Sequence, residues 1–243
     1  MSIQPSVSLL WFTGKGTNDE TYGAARLLAY TKNTRLQMTP DGYDRFENLP
    51  LADLERELQY MSNTIPSSWE FVDVIFSINN VSRACAQQIT RTRTASFAMQ
   101  SQRVTDMTDV TYHVPESVKE KEVYTDAMEG SLTEYQFSVD RGESLEDARG
   151  LLPMNVHCNL VAKYNLRSLV DLLRARDSMR VQGEYQMVAR QMREAVFAVW
   201  PWVVPFFDPK DKKAIALIEE VAAVMADKHL KMQLAKAADL LKK

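Results

Sequence analysis

The chain has few glycines, cysteines and histidines, and each shortage excludes a class of functional site. Its 243 residues include 8 glycines and contain neither GxGxxG nor GxxxxGK[ST], so no glycine-rich phosphate loop is available. The two cysteines, Cys85 and Cys158, are too few for a disulfide framework and are expected to be small buried residues in a reducing compartment. The three histidines are scattered without metal-ligand spacing, so we expect no metal site.

Long apolar runs and a strong charge imbalance are also missing. No segment approaches the roughly 18 apolar residues of a membrane span, and the N-terminus lacks the basic region of a signal peptide. The most apolar run, residues 197–207, contains two prolines and indicates a core or interface segment. The formal net charge of −3 provides no broad basic face for nucleic acid. We therefore predict a cytoplasmic protein that binds neither a membrane nor nucleic acid.

The composition is that of an ordinary globular protein. Hydrophobic residues make up 45% of the chain and charged residues 25%. Apolar runs suited to strands alternate with amphipathic helical patterns, and we find no repeat, low-complexity tract or linker. The sequence predicts one α/β (α+β) domain over residues 1–243, with helices flanking a central mixed sheet. A long amphipathic helix, about residues 209–243, is predicted as a C-terminal extension.

Positive charge is concentrated in one part of this slightly acidic chain. Between Val74 and Thr105 there is no Asp or Glu, yet the segment holds four arginines and several Thr, Ser and Gln residues. Guanidinium, hydroxyl and amide groups are what a site needs to hold phosphates and to hydrogen-bond a base. A solvated basic loop is the alternative. The bounding apolar residues and the absence of neutralising acids favour a ligand site.

This basic segment contains a recognisable pattern: Arg91, Arg93 and Ser101 follow Arg-x-Arg, seven residues, Ser. The pattern resembles the signature of flavin-dependent thymidylate synthases, which usually have His where this chain has Thr92. Further blocks similar to the family follow in the right order and, with the signature, span roughly residues 70–190. They are VSRACAQQ (81–88), ARGLLP (148–153) and NLRSLVDLLRAR (165–176) followed by Gln182-x-Glu184.

The resemblance implies a chemistry. In this family, C5 of a deoxypyrimidine monophosphate is methylated, in the usual case converting dUMP to dTMP. FAD is the cofactor, and NADPH and methylenetetrahydrofolate are co-substrates. The pyrimidine ring itself attacks, so no enzyme nucleophile is required and the protein supplies orientation and electrostatics. The resemblance also implies a homotetramer whose active sites form between subunits.

The resemblance further assigns roles to residues. Arg103 and Arg149 would bind the nucleotide phosphate, where a guanidinium is the natural donor. Arg176 would sit on the pyrimidine as the main catalytic group and stabilise the charge that develops on its carbonyls. The full set of nucleotide-binding positions is Arg83, Gln88, Gln100, Ser101, Arg103, Arg149 and Arg176. The flavin-binding positions are Glu70, Arg91, Thr92, Arg93, Asn165 and Arg167.

Some of these residues have a purely structural alternative. Arg176 is also suited to be surface charge on a helix. Arg149 is also suited to pair with Glu146 or Asp147. Asn165 has the residue type and position of a helix cap.

Two of the assigned arginines raise a geometric problem that is independent of the family. Arg167 and Arg176 are nine residues apart, about two and a half turns of an α-helix, and so lie on opposite faces. One straight helix cannot direct both side chains at a single site in its own subunit. We interpret this as support for an oligomer in which one helix serves two sites.

The chain departs from the family pattern near the expected site. Besides Thr92, the departures are Ile65, Phe71, Met99 and Val104. The changes leave two alternatives open. A divergent enzyme would act on dCMP or make a 5-hydroxymethyl nucleotide, whereas a homologue that has lost catalysis would be a nucleotide-binding protein.

Overall fold

A computed structural model describes residues 3–32, 42–176, 183–207, 217–218, 220–223 and 228–242. In these ranges the chain forms one four-stranded sheet covered by helices. The α+β class predicted from the sequence is confirmed. The strands are β1 (Ser6–Phe12), β2 (Asp73–Ser82), β3 (Ala95–Met99) and β4 (His157–Asn165).

The sheet has the order β1-β2-β4-β3, and each neighbouring pair is antiparallel. The prediction of a mixed sheet is therefore wrong for the described strands. The reason lies in the position of β4. A helical crossover joins β2 to β3, and these two strands run in the same direction, but β4 inserts between them and pairs antiparallel with both.

Helices cover mainly one face of the sheet. Along β4, buried residues alternate with exposed ones from Cys158 to Tyr164, so one face packs in the core and the other is open. Short 3₁₀ segments connect larger elements in the described part of the chain, at Pro66–Phe71, Arg149–Leu151 and Pro201–Val203. The helices are α1 (Gly23–Thr31), α2 (Asp44–Glu47), α3 (Leu51–Met61), α4 (Arg83–Ile89), α5 (Lys121–Asp140), α6 (Leu145–Ala148), α7 (Leu166–Arg176), α8 (Gly183–Val199), α9 (Val204–Phe207) and α10 (Lys228–Lys242).

The helix caps agree with the sequence. The Ser144 hydroxyl accepts a hydrogen bond from the Asp147 N–H at the start of α6 (3.2 Å). The Asn165 side chain accepts one from the Ser168 N–H at the start of α7 (2.9 Å). Asn165 is therefore the cap that its residue type indicated, and Ser144 caps α6 in the same way.

The predicted C-terminal helix is helical wherever it is described, at residues 217–218, 220–223 and in α10. The rest of it lies outside the described residues, as does Gln182. Within the described ranges no helix combines the length and apolar character that crossing a bilayer requires. The two cysteines are buried and free, and burial raises the pKa of Cys158 to about 11, so neither thiol is set up to react.

Candidate nucleotide and flavin site

The junction between β2 and α4 is held by a buried carboxylate. Ser82 caps α4, its hydroxyl accepting a hydrogen bond from the Cys85 N–H (3.0 Å). Glu184 of α8, only 4% exposed, accepts hydrogen bonds from both the Ser82 N–H and the Ser82 hydroxyl, each at 2.6 Å. This contact ties α8 to the start of α4 and thereby positions Arg83 and Gln88, both predicted nucleotide-binding residues of α4.

Arg176, the predicted catalytic group, packs against a buried ring. Its guanidinium carbon lies 4.6 Å from the ring centroid of Tyr185, which is fully buried in α8. Burial raises the pKa of Tyr185, whereas the Arg176 guanidinium and the Thr92 hydroxyl lower it, so both groups lie beside the phenol. Arg176 is therefore a half-buried, stacked cation rather than a freely solvated surface charge.

The two predicted phosphate ligands converge on one carboxylate. The Arg103 Nε lies 3.8 Å from one Glu146 oxygen, and an Arg149 terminal nitrogen lies 3.9 Å from the other. The alternative in which Arg149 pairs with Glu146 is thus present in the structure. The two arginine side chains are 60% and 42% exposed, so the pairs are loose and open to solvent. The result is two guanidinium groups gathered around a single anionic group.

Gln100 belongs to a chain of amide hydrogen bonds. Its backbone N–H donates to the Asn159 carbonyl (2.9 Å), which extends the pairing of β3 with β4 by one residue. The Asn159 amide nitrogen donates to the Gln100 side-chain oxygen (3.2 Å), and the Asn159 side-chain oxygen accepts from the Asn80 N–H (2.9 Å). Asn80 adopts φ 56° in a bulge of β2.

Gln100 also lines an open groove of about 310 Å³, together with residues 106–110. The groove wall is supported by α5, because the buried Tyr135 hydroxyl accepts a hydrogen bond from the Met107 N–H (3.0 Å). Hydrogen bonds from the Thr108 hydroxyl and N–H hold the pKa of Asp106 below its usual range. Asp106 is therefore a fixed acceptor on the groove wall.

The predicted flavin-binding residues form a second group. Arg167 and Glu70 form an ion pair of 2.7 Å in which both side chains are about half exposed. The Ser168 hydroxyl bonds the Thr94 hydroxyl (2.8 Å), which attaches the start of α7 to the segment just after Arg93. Arg91 and Arg93 are themselves exposed. These guanidinium groups suit the anionic phosphates of a dinucleotide cofactor.

Gln100 of the nucleotide group and Asn165 of the flavin group lie toward opposite ends of β4, whereas Arg176 and Thr92 meet at Tyr185. Asn159 is near the start of β4, whereas Asn165 is its last residue, and six residues of strand span about 20 Å. Arg167 and Arg176 are also separated along α7, by about 13 Å of helix, and they contact different elements. Arg167 reaches the 3₁₀ segment at Glu70, and Arg176 reaches α8 at Tyr185. This agrees with the opposite helix faces expected from their spacing.

A pair of histidines, the buried His157 and the partly buried His113, lies beside the start of β4 and was not singled out from the sequence. His157 is 4% exposed, and its Nδ1 is 2.7 Å from the Thr111 hydroxyl. Burial and the neighbouring His113 lower the pKa of His157 to about 4. His113 in turn lies 4.0 Å from the Glu184 carboxylate. His157 is therefore a neutral structural group at ordinary pH.

Sequence reasoning also missed two other residues that shape the site, Tyr185 and Asn159. It named the pairing of Glu146 with Arg149 but not the contact of Glu146 with Arg103, which is distant in sequence. A signal existed for Tyr185, which follows the Glu184 of the family-like block directly. Asn159 gave no signal, because a polar residue in an alternating strand is typical of a solvent face.

Comparisons with known proteins identify the family of the chain. Residues 15–202 match the family model described as thymidylate synthase complementing protein. The match covers well over half of the chain, so the chain belongs to this family.

The curated relatives share one description, flavin-dependent thymidylate synthase. The Pyrococcus furiosus protein is 35% identical over 160 residues, which is 62% of this chain and 66% of that protein. The Geobacter sulfurreducens protein is 32% identical over 164 residues, covering 65% and 71%. The Saccharolobus solfataricus protein is 27% identical over 201 residues, covering 76% and 77%. The chain thus spans slightly less than two thirds of the Pyrococcus furiosus protein.

A solved structure has the same fold. It is the crystal structure of a UMP/dUMP methylase, PolB, from Streptomyces cacaoi, bound with 5-Br dUMP. The TM-score is 0.69 at 21% sequence identity, with 84% of this chain and 94% of that chain covered. At this identity the similarity concerns the arrangement of helices and strands.

Proposed function

We propose that this protein is a flavin-dependent methyltransferase that converts dUMP to dTMP. Methylenetetrahydrofolate would donate the one-carbon unit, and NADPH would reduce FAD. The observation that carries the proposal is the convergence of Arg103 and Arg149 on one carboxylate, together with the stacking of Arg176 on Tyr185. The family membership and the names of the curated relatives support it.

Arg103 and Arg149 would bind the nucleotide phosphate by displacing Glu146. The existing contacts of 3.8 and 3.9 Å are longer than charge-assisted hydrogen bonds, which measure about 2.7–2.9 Å. A phosphate carries more charge than a carboxylate and offers three oxygens, so it competes well for both guanidinium groups. The Ser101 hydroxyl, which already accepts a hydrogen bond from the Arg103 N–H (3.2 Å), lies beside this position.

Arg176 would stabilise the negative charge that develops on the pyrimidine carbonyls as C5 attacks the one-carbon unit. Its stacking on Tyr185 restricts the guanidinium before substrate binds, so little reorganisation is needed during the reaction. The same nucleotide would be contacted by Gln88 and Arg83. Both belong to α4, whose start is held in place by the hydrogen bonds between Ser82 and Glu184.

The flavin would be held by Arg91, Arg93 and Arg167, whose charge complements its phosphates. When bound, the reduced flavin supplies the hydride that converts the transferred carbon to a methyl group. Glu70 would exchange its ion pair with Arg167 for contacts to the cofactor. Thr92, which faces Tyr185, would have a smaller part in cofactor binding than the histidine usual in the family.

The active site would be completed by a second copy of the chain, in keeping with a homotetramer. About 20 Å of β4 separates Asn159, the partner of Gln100, from the proposed flavin ligand Asn165 within one chain. The open face of the sheet also carries exposed apolar side chains, among them Trp11 (42%) and Val161 (38%). Pairing of copies over these surfaces would bring the flavin end of one chain to the nucleotide end of another. The cytoplasmic location stays a prediction.

The test is to incubate the protein with FAD, NADPH and methylenetetrahydrofolate, with dUMP and dCMP in separate reactions. The mass of each nucleotide product is then measured. We expect a methyl mass gain on dUMP. A gain on dCMP, or a hydroxymethyl mass, would replace this proposal with the divergent-substrate alternative. No product from either nucleotide, with flavin bound, would identify a nucleotide-binding homologue without catalysis.

A further inference from the structure

The chain of amides at the start of β4 has a fixed direction. In the pairing of β2 with β4, Asn79 and Asn80 together oppose the single residue Asn159, which is a β-bulge. Asn80 takes a left-handed conformation there, φ 56°, which is uncommon for a residue other than glycine. The bulge directs the Asn80 backbone N–H toward the Asn159 side chain (2.9 Å).

A backbone N–H can only donate a hydrogen bond. The Asn159 atom that it contacts must therefore be the amide oxygen, which makes the other end of that amide the donor. This nitrogen lies 3.2 Å from the Gln100 side chain, so the Gln100 atom facing it must be the oxygen. The orientation of both amides follows from one backbone group.

The remaining end of Gln100 is its NH₂ group. Gln100 lines the groove of about 310 Å³, one residue before the proposed nucleotide-binding residue Ser101. With its oxygen bonded to Asn159, Gln100 presents a hydrogen-bond donor to a ligand in this groove. The matching feature of the ligand is an acceptor.

Uracil and cytosine differ at one position in this respect. The C4 substituent of uracil is a carbonyl, which accepts a hydrogen bond, whereas that of cytosine is an amino group, which donates. We propose that Gln100 selects uracil over cytosine through an NH₂ donor whose direction is set by Asn80 and Asn159. This inference rests on the proposed function, because it concerns which nucleotide the same site accepts.

The energetic basis is the cost of two facing donors. Bound dCMP would set its amino group against the Gln100 NH₂, and one donor would be left without a partner. Leaving a donor unpaired in a binding site weakens binding by about tenfold or more. Rotation of the Gln100 amide does not relieve this, because its NH₂ would then face the Asn159 NH₂.

The decisive variant is Asn159→Asp, which does not alter Gln100. The carboxylate still accepts from the Asn80 N–H, but it now offers a second acceptor to Gln100. Gln100 must turn its NH₂ toward residue 159, and its oxygen then faces the groove. The matched control is Asn79→Asp, which places the same charge in the same bulge at a side chain whose contact is Ser77 (3.2 Å).

The measurement is the dissociation constant of dUMP and of dCMP, by calorimetry, for the FAD-loaded wild type and the variants Asn159→Asp, Asn79→Asp and Gln100→Glu. We expect wild type and Asn79→Asp to prefer dUMP by about tenfold or more. Asn159→Asp should lower that ratio by a similar factor or invert it. Gln100→Glu places a carboxylate oxygen in the groove directly, so it should also lower the preference for dUMP over dCMP. This variant provides the test if Asn159→Asp fails to fold.

Two results would overturn the inference in distinguishable ways. If wild type binds dUMP but the ratio is the same in Asn159→Asp and Asn79→Asp, and Gln100→Glu leaves it unchanged, the groove reads another part of the nucleotide. The proposed function would survive that result. If wild type binds neither nucleotide, the proposed function fails and the inference fails with it.

Discussion

Replacement of Glu184 tests whether the buried carboxylate holds the start of α4 in place. In the wild type, the Ser82 N–H and hydroxyl each donate to Glu184 at 2.6 Å, in a region that water does not reach. Glu184→Ala removes the acceptor of both donors. A buried donor left without a partner costs about 1–3 kcal/mol, so two cost about 2–6 kcal/mol. For a chain of this size each kcal/mol lowers the melting temperature by about 2–4 °C.

The assay is urea denaturation followed by far-UV circular dichroism. Glu184→Gln retains an acceptor for the Ser82 N–H and a group that can bond the hydroxyl, so we expect a loss of about 1 kcal/mol. Glu194→Ala removes an exposed carboxylate from the same helix and is the matched control, with an expected change within about 0.5 kcal/mol. A loss below about 1 kcal/mol in Glu184→Ala would refute the reasoning.

A double-mutant cycle distinguishes the contact between Glu184 and Ser82 from other effects of replacing Glu184 on stability. Ser82→Ala removes one of the two donors to Glu184 and the cap of α4. The double variant with Glu184→Ala should be destabilised by less than the sum of the single variants, because both remove the same contact. Additive losses would show that the two residues act independently.

Three further predictions follow. Arg149→Ala should weaken dUMP binding about 10- to 100-fold in calorimetry, because a charge-assisted contact to phosphate is lost, whereas the exposed Arg141→Ala should not. Tyr185→Leu should lower kcat/KM several-fold by freeing Arg176, and Tyr185→Phe, which keeps the ring, should restore most of it. Burial lowers the pKa of His157 from 6.5 to about 4. Between these pH values the unfolded chain therefore binds a proton at His157 that the folded chain does not. The contribution of His157 to stability should therefore fall by about 3 kcal/mol as pH drops from 6.5 to 4. In urea denaturation at a series of pH values, His157→Gln should lose stability less steeply over this range than wild type, and equal slopes would contradict the prediction.

Features set by local sequence were predictable. Asn165 and Ser144 cap their helices because side-chain capping depends on residues only three positions apart. The different directions of Arg167 and Arg176 followed from helix geometry alone. The alternation of Val72, Val74, Phe76 and Ile78 predicts a strand at β2, and the strand-like pattern of residues 154–162 predicts one at β4, with ends displaced by a few residues.

Features set by distant pairing were not predictable. β3 was missed because Ala95–Met99 lies within a polar, arginine-rich segment and becomes a strand by pairing with β4. The bulge at Asn80 depends on the register between β2 and β4, which no local pattern encodes. The role of Asn159 depends on both pairings at once, so the amide chain to Gln100 was visible only in the folded molecule.

The most direct test of the central claim is the fate of the C5 hydrogen of dUMP. Methylation at C5 requires that this hydrogen leave as a proton. With dUMP tritiated at C5, we predict that the protein, supplied with FAD, NADPH and methylenetetrahydrofolate, releases tritium to water in step with the appearance of dTMP. Binding of dUMP without release of tritium would contradict the account.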